Sequence, residues 1–446
     1  MSSNAINTQE FAETIAATVK TKIPILEYVN KELSDRLSSG AGDTVNVLVP
    51  NFGKVSKGAS FLSGTTNNVQ TLGSIADLTV KVDKVPVTLQ VAKVGASYDL
   101  LEKTLKLYTK ESQISEPRIS NLARTINAEV FKCVLSAAHS CIVGEIGFTE
   151  LAEAVAYVEE SRVGDDYAGM LAPLLNNSVA ASGANKFANS NLASPNGTDL
   201  NLYAGVLGEW MGAMFFKSAD AGSIRIGTTQ ANAFSLSGTC AKIADGATSL
   251  TLTGITFPAG VTAIPAGTPI VIGGGTAGTP GSITSKFTMS SVYGEDTQVI
   301  RAFVVQEDAA ISGTTGSGTA TVKITPVYLN KKINGVETLS SAAVPNTWFN
   351  DTTDPNSYQF ICPLLQGAKY ALGAVFASKS IAFASASPRP FANADSTSTT
   401  LDGEINIRTS LMSDGREGED LWRVDCLYGM KALYGTGAVA IYGQIG

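Results

Sequence analysis

The chain has 446 residues, of which 16% are charged and 44% hydrophobic, with a net charge of −7. That length allows two or three cores, and without a Lys/Arg-rich stripe it excludes a basic nucleic-acid reader. Charge falls below the usual value of about 25%, so the chain either carries much uncharged polar β surface or buries surface against partners, because interface cores are depleted of charge.

A single histidine, His139, excludes histidine dyads and argues against Ser-His-Asp triads and most transition-metal sites. It stands in "LSAAHSCIV" near the end of an apolar helix, where a C-terminal capping role is expected. The five cysteines, Cys133, Cys141, Cys240, Cys362 and Cys426, are odd in number and lack any C-x-x-C spacing. They read as reduced core thiols, not as a disulfide framework or zinc site. No apolar run approaches the roughly 18 residues of a membrane helix, and "MSSNAINTQEF" has no basic start followed by an apolar stretch. Synthesis in the cytosol is expected, which would leave the N-x-S/T matches at Asn176, Asn196 and Asn350 silent.

In chain order, Asn7 and Glu10 form a capping pair ahead of Phe11, Ile15, Val19 and Ile23, a helical stripe that ends at Pro24. Leu26, Val29, Leu33 and Leu37 repeat that spacing and predict a second helix, stopped by "SSGAG". Such terminal helices can pack on their own core or dock on a partner. "GDTVNVLVPNF" alternates as a strand, and the following "GKVSKGASFLSGTTNNVQTLGS" is a Gly, Ser and Thr ribbon too polar for a core. Either it is disordered or it lies on a neighbouring subunit. "ADLTVKVDKVPVTLQVAKVGAS" predicts two strands around Asp83 and Lys84.

The strongest helix is predicted from Ser115 as N-cap, with Pro117 in its first turn and Ile119, Leu122, Ile126, Val130, Val134 and Ala138 on one face. A second helix, "FTELAEAVAYVEESRV", precedes the apolar strand "AGMLAPL". From about Phe234 to Val327 short strands alternate with Gly and Pro turns, which indicates a small barrel or sandwich inserted into a larger domain. "PLLQGAKYALGAVFASKSIAFAS" reads as helix and strand, and the chain closes with two strands in "LWRVDCLYGMKALYGTGAVAIYG".

Within the β region, Gly273, Gly275 and Gly278 match G-x-G-x-x-G, the dinucleotide fingerprint. That motif requires a following helix, whose N-terminus faces the pyrophosphate. The residues that follow, "TPGSITSKFTMSSVY", read as loop and strand, so the glycines are taken as turn residues. Carboxylate groups at Asp165 with Asp166, and at Glu417, Glu419 and Asp420, fall in Gly-rich stretches and read as solvated turns. No catalytic, cofactor-binding or metal-ligating residue is assigned.

Four stretches together resemble the major capsid, or coat, proteins of tailed double-stranded DNA bacteriophages. "GDTVNVLVP" is similar to the strand that enters the extended loop of that fold, and "SYDLLEKTLKLYTKESQISEPRISNLARTINAEVF" to its strand exit and spine helix. "GVLGEWMGAMFFKS" resembles the strand after a Gly-rich turn, and "RVDCLYGMKALYGTGAVAIYG" the closing strands. "RAFVVQEDAA" followed by "GTATVKITP" resembles the short-tailed phage subgroup with an inserted β domain. One departure is the short stretch between "LSGTC" and "TSLTLTG", where that subgroup can carry a longer loop between capsomers.

The resemblance implies an α+β tailed-phage capsid fold with a small inserted β-barrel. It divides the chain into an N-terminal arm (1–40), an extended loop (41–84), a peripheral domain with the spine helix (85–145), an axial domain in two parts (146–233 and 328–405) around the inserted β domain (234–327), and closing strands (406–446). It implies self-association into hexamers and pentamers, scaffolding and portal proteins as partners, nonspecific contact with packaged DNA, no cofactor, no membrane and no enzymatic activity. The expected location is the virion capsid, assembled in the host cytoplasm. Phe11 and Ile15 in the arm and Lys54, Lys57, Phe61 and Leu62 in the extended loop are the expected inter-subunit contacts. A bacterial nanocompartment shell protein, a nucleotide-binding enzyme using Gly273–Gly278 and a surface adhesin are the competing readings.

Overall fold

A computed structural model describes residues 23–31, 44–50, 82–99, 111–179, 181, 208–226, 235–241, 248–257, 261–275, 283–286, 288–290, 296–314, 317–325, 357–365, 367–386, 395–401, 405–414, 419–433 and 437–445. A 3₁₀ turn at Pro24–Tyr28 is followed by β1 (Thr44–Pro50), β2 (Val82–Thr88), β3 (Gln90–Asp99) and the long helix α1 (Glu111–Ala137). Next come β4 (Ser140–Gly144), α2 (Phe148–Ser161), β5 (Tyr167–Leu171), β6 (Gly208–Trp210), β7 (Ala213–Lys217) and β8 (Ser223–Arg225). The β-rich region holds β9 (Ser235–Ala241), β10 (Ser249–Thr256), β11 (Ala263–Ile264), β12 (Pro269–Gly275), β13 (Ile283–Lys286), β14 (Thr288–Ser290), β15 (Asp296–Ile300), β16 (Ala302–Val305), β17 (Ala309–Ala310) and β18 (Gly318–Thr325). The chain finishes with β19 (Ser357–Leu365), β20 (Lys369–Ala377), β21 (Ile381–Ala386), β22 (Asp395–Leu401), β23 (Ile405–Asp414), β24 (Glu419–Ala432) and β25 (Ala438–Gln444). The fold is α+β.

A mixed sheet in the order β4-β25-β20-β5-β7-β6, with β8 also on β20, forms the centre. β20 pairs antiparallel with β25 on one edge and with β5 on the other. Every residue of β20 after Lys369 is buried, so the strand is covered on both faces and shows no alternation. The expected helix in this part of the sequence is therefore absent: 357–386 is three strands joined by a short link and a 3₁₀ turn at Ser378–Ser380. α2 buries Leu151, Ala154, Val155 and Val158 in the common core, with Phe148 edge-on to Trp210 at 4.5 Å between ring centroids. At its start the Gly147 N–H donates to the Glu150 carboxylate at 2.8 Å, satisfying one of the orphan amides of the first turn. β6 and β7 form a hairpin whose tip residues, Met211 and Gly212, both take positive φ, as the strand twist requires of a two-residue turn.

A second sheet runs β21-β24-β23-β22, with β3 on the opposite edge of β24. α1 buries Ile119, Leu122, Ile126, Val130 and Val134 as its stripe predicts. It begins at Glu111, one turn before the expected Ser115 cap, because Glu111–Ile114 contains no helix breaker. Pro117 thus lies inside the helix and leaves one backbone hydrogen bond unmade.

Two further expectations are corrected. Residues 24–31 are not the start of an amphipathic helix, although Ile23, Ile25, Leu26 and Val29 are buried. The edge of β21 offers backbone partners instead: the Asn30 N–H donates to the Ile381 carbonyl at 3.0 Å, and the Phe383 N–H donates to the Asn30 carbonyl at 2.9 Å. The predicted turn at Asp83 and Lys84 is also absent. Both residues lie within β2, which pairs with β1 from Thr44 opposite Thr88 to Pro50 opposite Val82, and the break falls at Leu89. This ribbon encloses residues 51–81, which lie outside the described set, as do residues 1–22.

The β-rich region closes on itself. β12, β16, β18, β10, β9 and β19 pair in that order, and β19 returns to β12, making a six-stranded antiparallel barrel. Closure removes the unpaired edges that a Gly- and Thr-rich sheet would otherwise expose. β18 alternates buried and exposed positions, and Leu250, Leu252, Ile272, Val322, Ile324 and Phe360 belong to the core cluster. The closing strand, β19, lies outside 234–327, the segment in which the β domain is expected. Phe360 is fully buried, and a Cβ at Gly238 would stand 2.7 Å from its ring, so this position accepts only glycine without movement of the ring. Phe360→Ala is expected to cost about 3–5 kcal/mol, read as a lower denaturant midpoint with an unchanged slope.

Candidate functional site

The barrel meets the central sheet where α1 gives way to β4. The His139 N–H donates to the Ala438 carbonyl at 3.2 Å, and its carbonyl accepts from the Ala302 N–H of the barrel at 2.7 Å. From β25, the Tyr442 hydroxyl donates to the Gly267 carbonyl at 2.7 Å. Gly267, at φ +85°, makes the turn that reaches this partner.

The His139 ring is buried, and the neighbouring Arg301 is also buried, with its guanidinium 4.7 Å from the centroid of the Phe303 ring. Burial, and then the Arg301 charge, hold the imidazole pKa well below 6.5. A neutral ring lacks the charge that would complement a helix C-terminus, so the expected capping role is replaced by a junction role carried by the backbone of His139.

Polar side chains are brought together at two further places. On the second sheet, Asp425 is completely buried and accepts from Arg408 Nε at 3.1 Å and from Arg423 Nε at 2.6 Å, with a further bond from Arg408 Nη2. Arg408 and Asp425 are direct cross-strand partners on β23 and β24. Beside this sheet, the Glu129 carboxylate of α1 accepts from Tyr428 Oη and from Gln90 Nε2, each at 2.5 Å. Burial and the Glu129 carboxylate raise the Tyr428 pKa, so the phenol stays a donor. Sequence reasoning found neither cluster. Gln90 and Tyr428 stand 39 and 299 positions from Glu129, and no local pattern marks such a meeting.

The thiols follow expectation where their acidity is perturbed. Burial pushes Cys133 up to about 11, and Cys240, Cys362 and Cys426 up to about 12, which suppresses the reactive thiolate. Gly273 and Gly275 lie in β12, which pairs antiparallel with β13, the next element among the described residues, as strand and not helix. Gly278 lies outside the described residues. Asp165 and Asp166 are exposed between α2 and β5 as expected, whereas Glu419 and Asp420 open strand β24 instead of forming a turn, and Glu417 is outside the described residues. Among the described residues no group of three or more His, Cys, Asp or Glu is placed to hold a metal ion, and no helix is long and apolar enough to cross a membrane. Phe11, Ile15, Lys54, Lys57, Phe61 and Leu62 lie outside the described residues. For the last four, the neighbouring described structure is the β1–β2 ribbon.

No family model and no curated protein matches the chain. Among solved structures it is similar to the capsid of Ralstonia phage GP4, at 8% identity and a TM-score of 0.40 over 94% of this chain and 87% of that one. It is similar also to the acidic stable capsid structure of Helicobacter pylori bacteriophage KHP30, at 9% identity and a TM-score of 0.38 over 95% and 91%. A mature capsid of bacteriophage PhiM1 gives 11% identity and a TM-score of 0.37 over 90% and 82%.

Two outcomes follow from the buried charges. His139 is neutral when folded and free to take a proton when unfolded, so its contribution to stability is complete above pH 6.5 and falls as pH drops below that value. Each pH unit below it should cost about 1.4 kcal/mol, measured as urea midpoints between pH 7.5 and about 5.5, and His139→Gln should flatten that part of the profile. Asp425→Asn leaves two guanidiniums without their shared carboxylate, and a loss of about 3–5 kcal/mol is expected in the same assay.

Proposed function

We propose that the chain is a structural subunit of an icosahedral viral capsid, self-assembling through many weak contacts into a shell around packaged double-stranded DNA. The observation that carries this reading is the β1–β2 ribbon, which forms a two-stranded sheet with no third strand among the described residues. A two-stranded ribbon is marginal in water by itself, so its stability calls for cover. In a shell, neighbouring copies supply that cover. The elements also run in the order that the sequence resemblance implies: ribbon, spine helix, central sheet, barrel and closing strands. Low charge suits a subunit that buries much of its surface against copies of itself.

Hexamers and pentamers are the expected capsomers, with scaffolding and portal proteins as assembly partners and only nonspecific contact with DNA. The expected place is the virion, with assembly in the host cytoplasm. For assembly to correct its errors, each contact should be weak, about millimolar or roughly 4 kcal/mol, with closure arising from many contacts together.

A nanocompartment shell is the second reading. The closed barrel adds a domain of the kind that the resemblance associates with short-tailed phages, and this favours the capsid. The hairpin that carries Gly273 and Gly275 opposes the nucleotide-enzyme reading.

Negative-stain electron microscopy paired with mass photometry tests the proposal. Closed shells of uniform diameter are expected above a threshold concentration, and replacing Phe61 and Leu62 with Asp should leave a folded monomer that does not assemble. A uniform monomer or dimer at every concentration, with crowding agents and with the scaffolding protein supplied, would overturn it.

A further inference from the structure

We propose that Glu129 is a positioning residue that sets the angle at which the β1–β2 ribbon leaves the second sheet. Three chain segments meet at the ribbon base. β2 ends at Thr88, Leu89 breaks the strand, and β3 begins at Gln90. The first side chain beyond the break, Gln90, donates to Glu129 on α1, and the same carboxylate oxygen accepts from Tyr428 on β24. One carboxylate on a 27-residue helix thus holds the strand leaving the ribbon and the strand beneath it.

The packing under the base leaves little room for another arrangement. Val87 is fully buried, and a Cβ on Gly429 would stand 2.4 Å from the Thr88 carbonyl oxygen and 3.0 Å from Val87 Cγ1. The ribbon base therefore rests on bare backbone, next to the residue that bonds Glu129. Gly429 permits the close approach, and Glu129 selects the direction.

Leverage makes the angle consequential. Each ribbon strand has seven described residues. At about 3.3 Å per residue the strand is roughly 23 Å long, so a tilt of about 10° at the base moves its far end by roughly 4 Å, enough to break a set of hydrogen bonds to a neighbour. Gln90 is exposed, so its bond to Glu129 is weak alone. Its effect comes from acting with the Tyr428 bond and the Gly429 contact at one point.

The Glu129 assignment concerns the single chain. Its consequence for assembly rests on the capsid reading, and the two are measured separately. Spin labels carried by non-natural residues at Asp83, near the far end of the ribbon, and at Lys132 on the exposed side of α1 report the angle in the full chain by pulsed dipolar spectroscopy. The unsubstituted chain should give one narrow distance distribution. Glu129→Gln keeps an acceptor oxygen and should retain it, whereas Glu129→Ala should about double its width, as expected when a local restraint is lost. Gln90→Ala removes only the exposed arm of the contact, leaves the core intact and should broaden the distribution in the same direction.

An unchanged distribution in Glu129→Ala and Gln90→Ala would overturn the proposal, as would equal broadening in Glu129→Gln. Broadened labels together with shells of mixed diameter would support both readings. Broadened labels with shells identical to those of the unsubstituted chain would support the positioning role and overturn the ribbon as an inter-subunit element.

Discussion

The stretch from Ser357 to Ala386 is the constraint on which the rest of the structure depends. Within it β19 closes the barrel, β20 forms the middle of the central sheet and β21 joins the second sheet, with only short links between them. None of these strands can pair before distant segments arrive. β19 needs β9 and β12, β20 needs β5 and β25, and β21 needs β24. Loop-closure entropy must therefore be overcome several times before one run of residues gains its partners, which makes the fold slow to form and cooperative once formed. The unbroken apolar character of β20 is the chemical expression of this position, since water reaches neither face.

Around that spine a few charged side chains join elements. Asp425 holds two arginines within one sheet, Glu129 holds a helix to two strands, and Arg301 lies over Phe303 beside a neutral imidazole. Such pairs contribute little net stability over apolar residues of the same size, because desolvation consumes most of the attraction. Their geometry is demanding, however, and an incorrect register would leave a charge unpaired in the interior. In sheets rich in Ala, Val and Gly, where a slip of two residues exchanges one small side chain for another, that penalty helps to select one register.

Local periodicity was legible, and long-range pairing was not. The α1 stripe, the α2 face and the alternation in β18 could be read because each element presents one side to a core and the other to water. β20 carries no such contrast, and its apolar run fits helix or strand equally. Leu26 and Val29 have helical spacing, yet the backbone of Asn30 takes partners from Ile381 and Phe383, more than 350 positions away. β19 was missed as a barrel strand for the same reason: its partners, β9 and β12, are separated from it by most of the barrel sequence. The glycine fingerprint shows the opposite error to guard against, a local pattern whose neighbour is a strand instead of the helix that would give it meaning.

Shortage of charge and excess of backbone pairing are two aspects of one solution. On the proposed reading, a subunit that meets many identical neighbours gains little from strong local charges, because a surface that attracts one copy also attracts it in wrong orientations. Barrel closure hides the edges of the most Gly- and Thr-rich part of the chain, and the central sheet ends on β6, only three residues long. The β1–β2 ribbon is the longest of three two-stranded sheets among the described residues, and its base is held by a carboxylate, a tyrosine and a bare glycine. On the proposed reading, a closed barrel and a ribbon held at its base restrict where copies of the chain can meet.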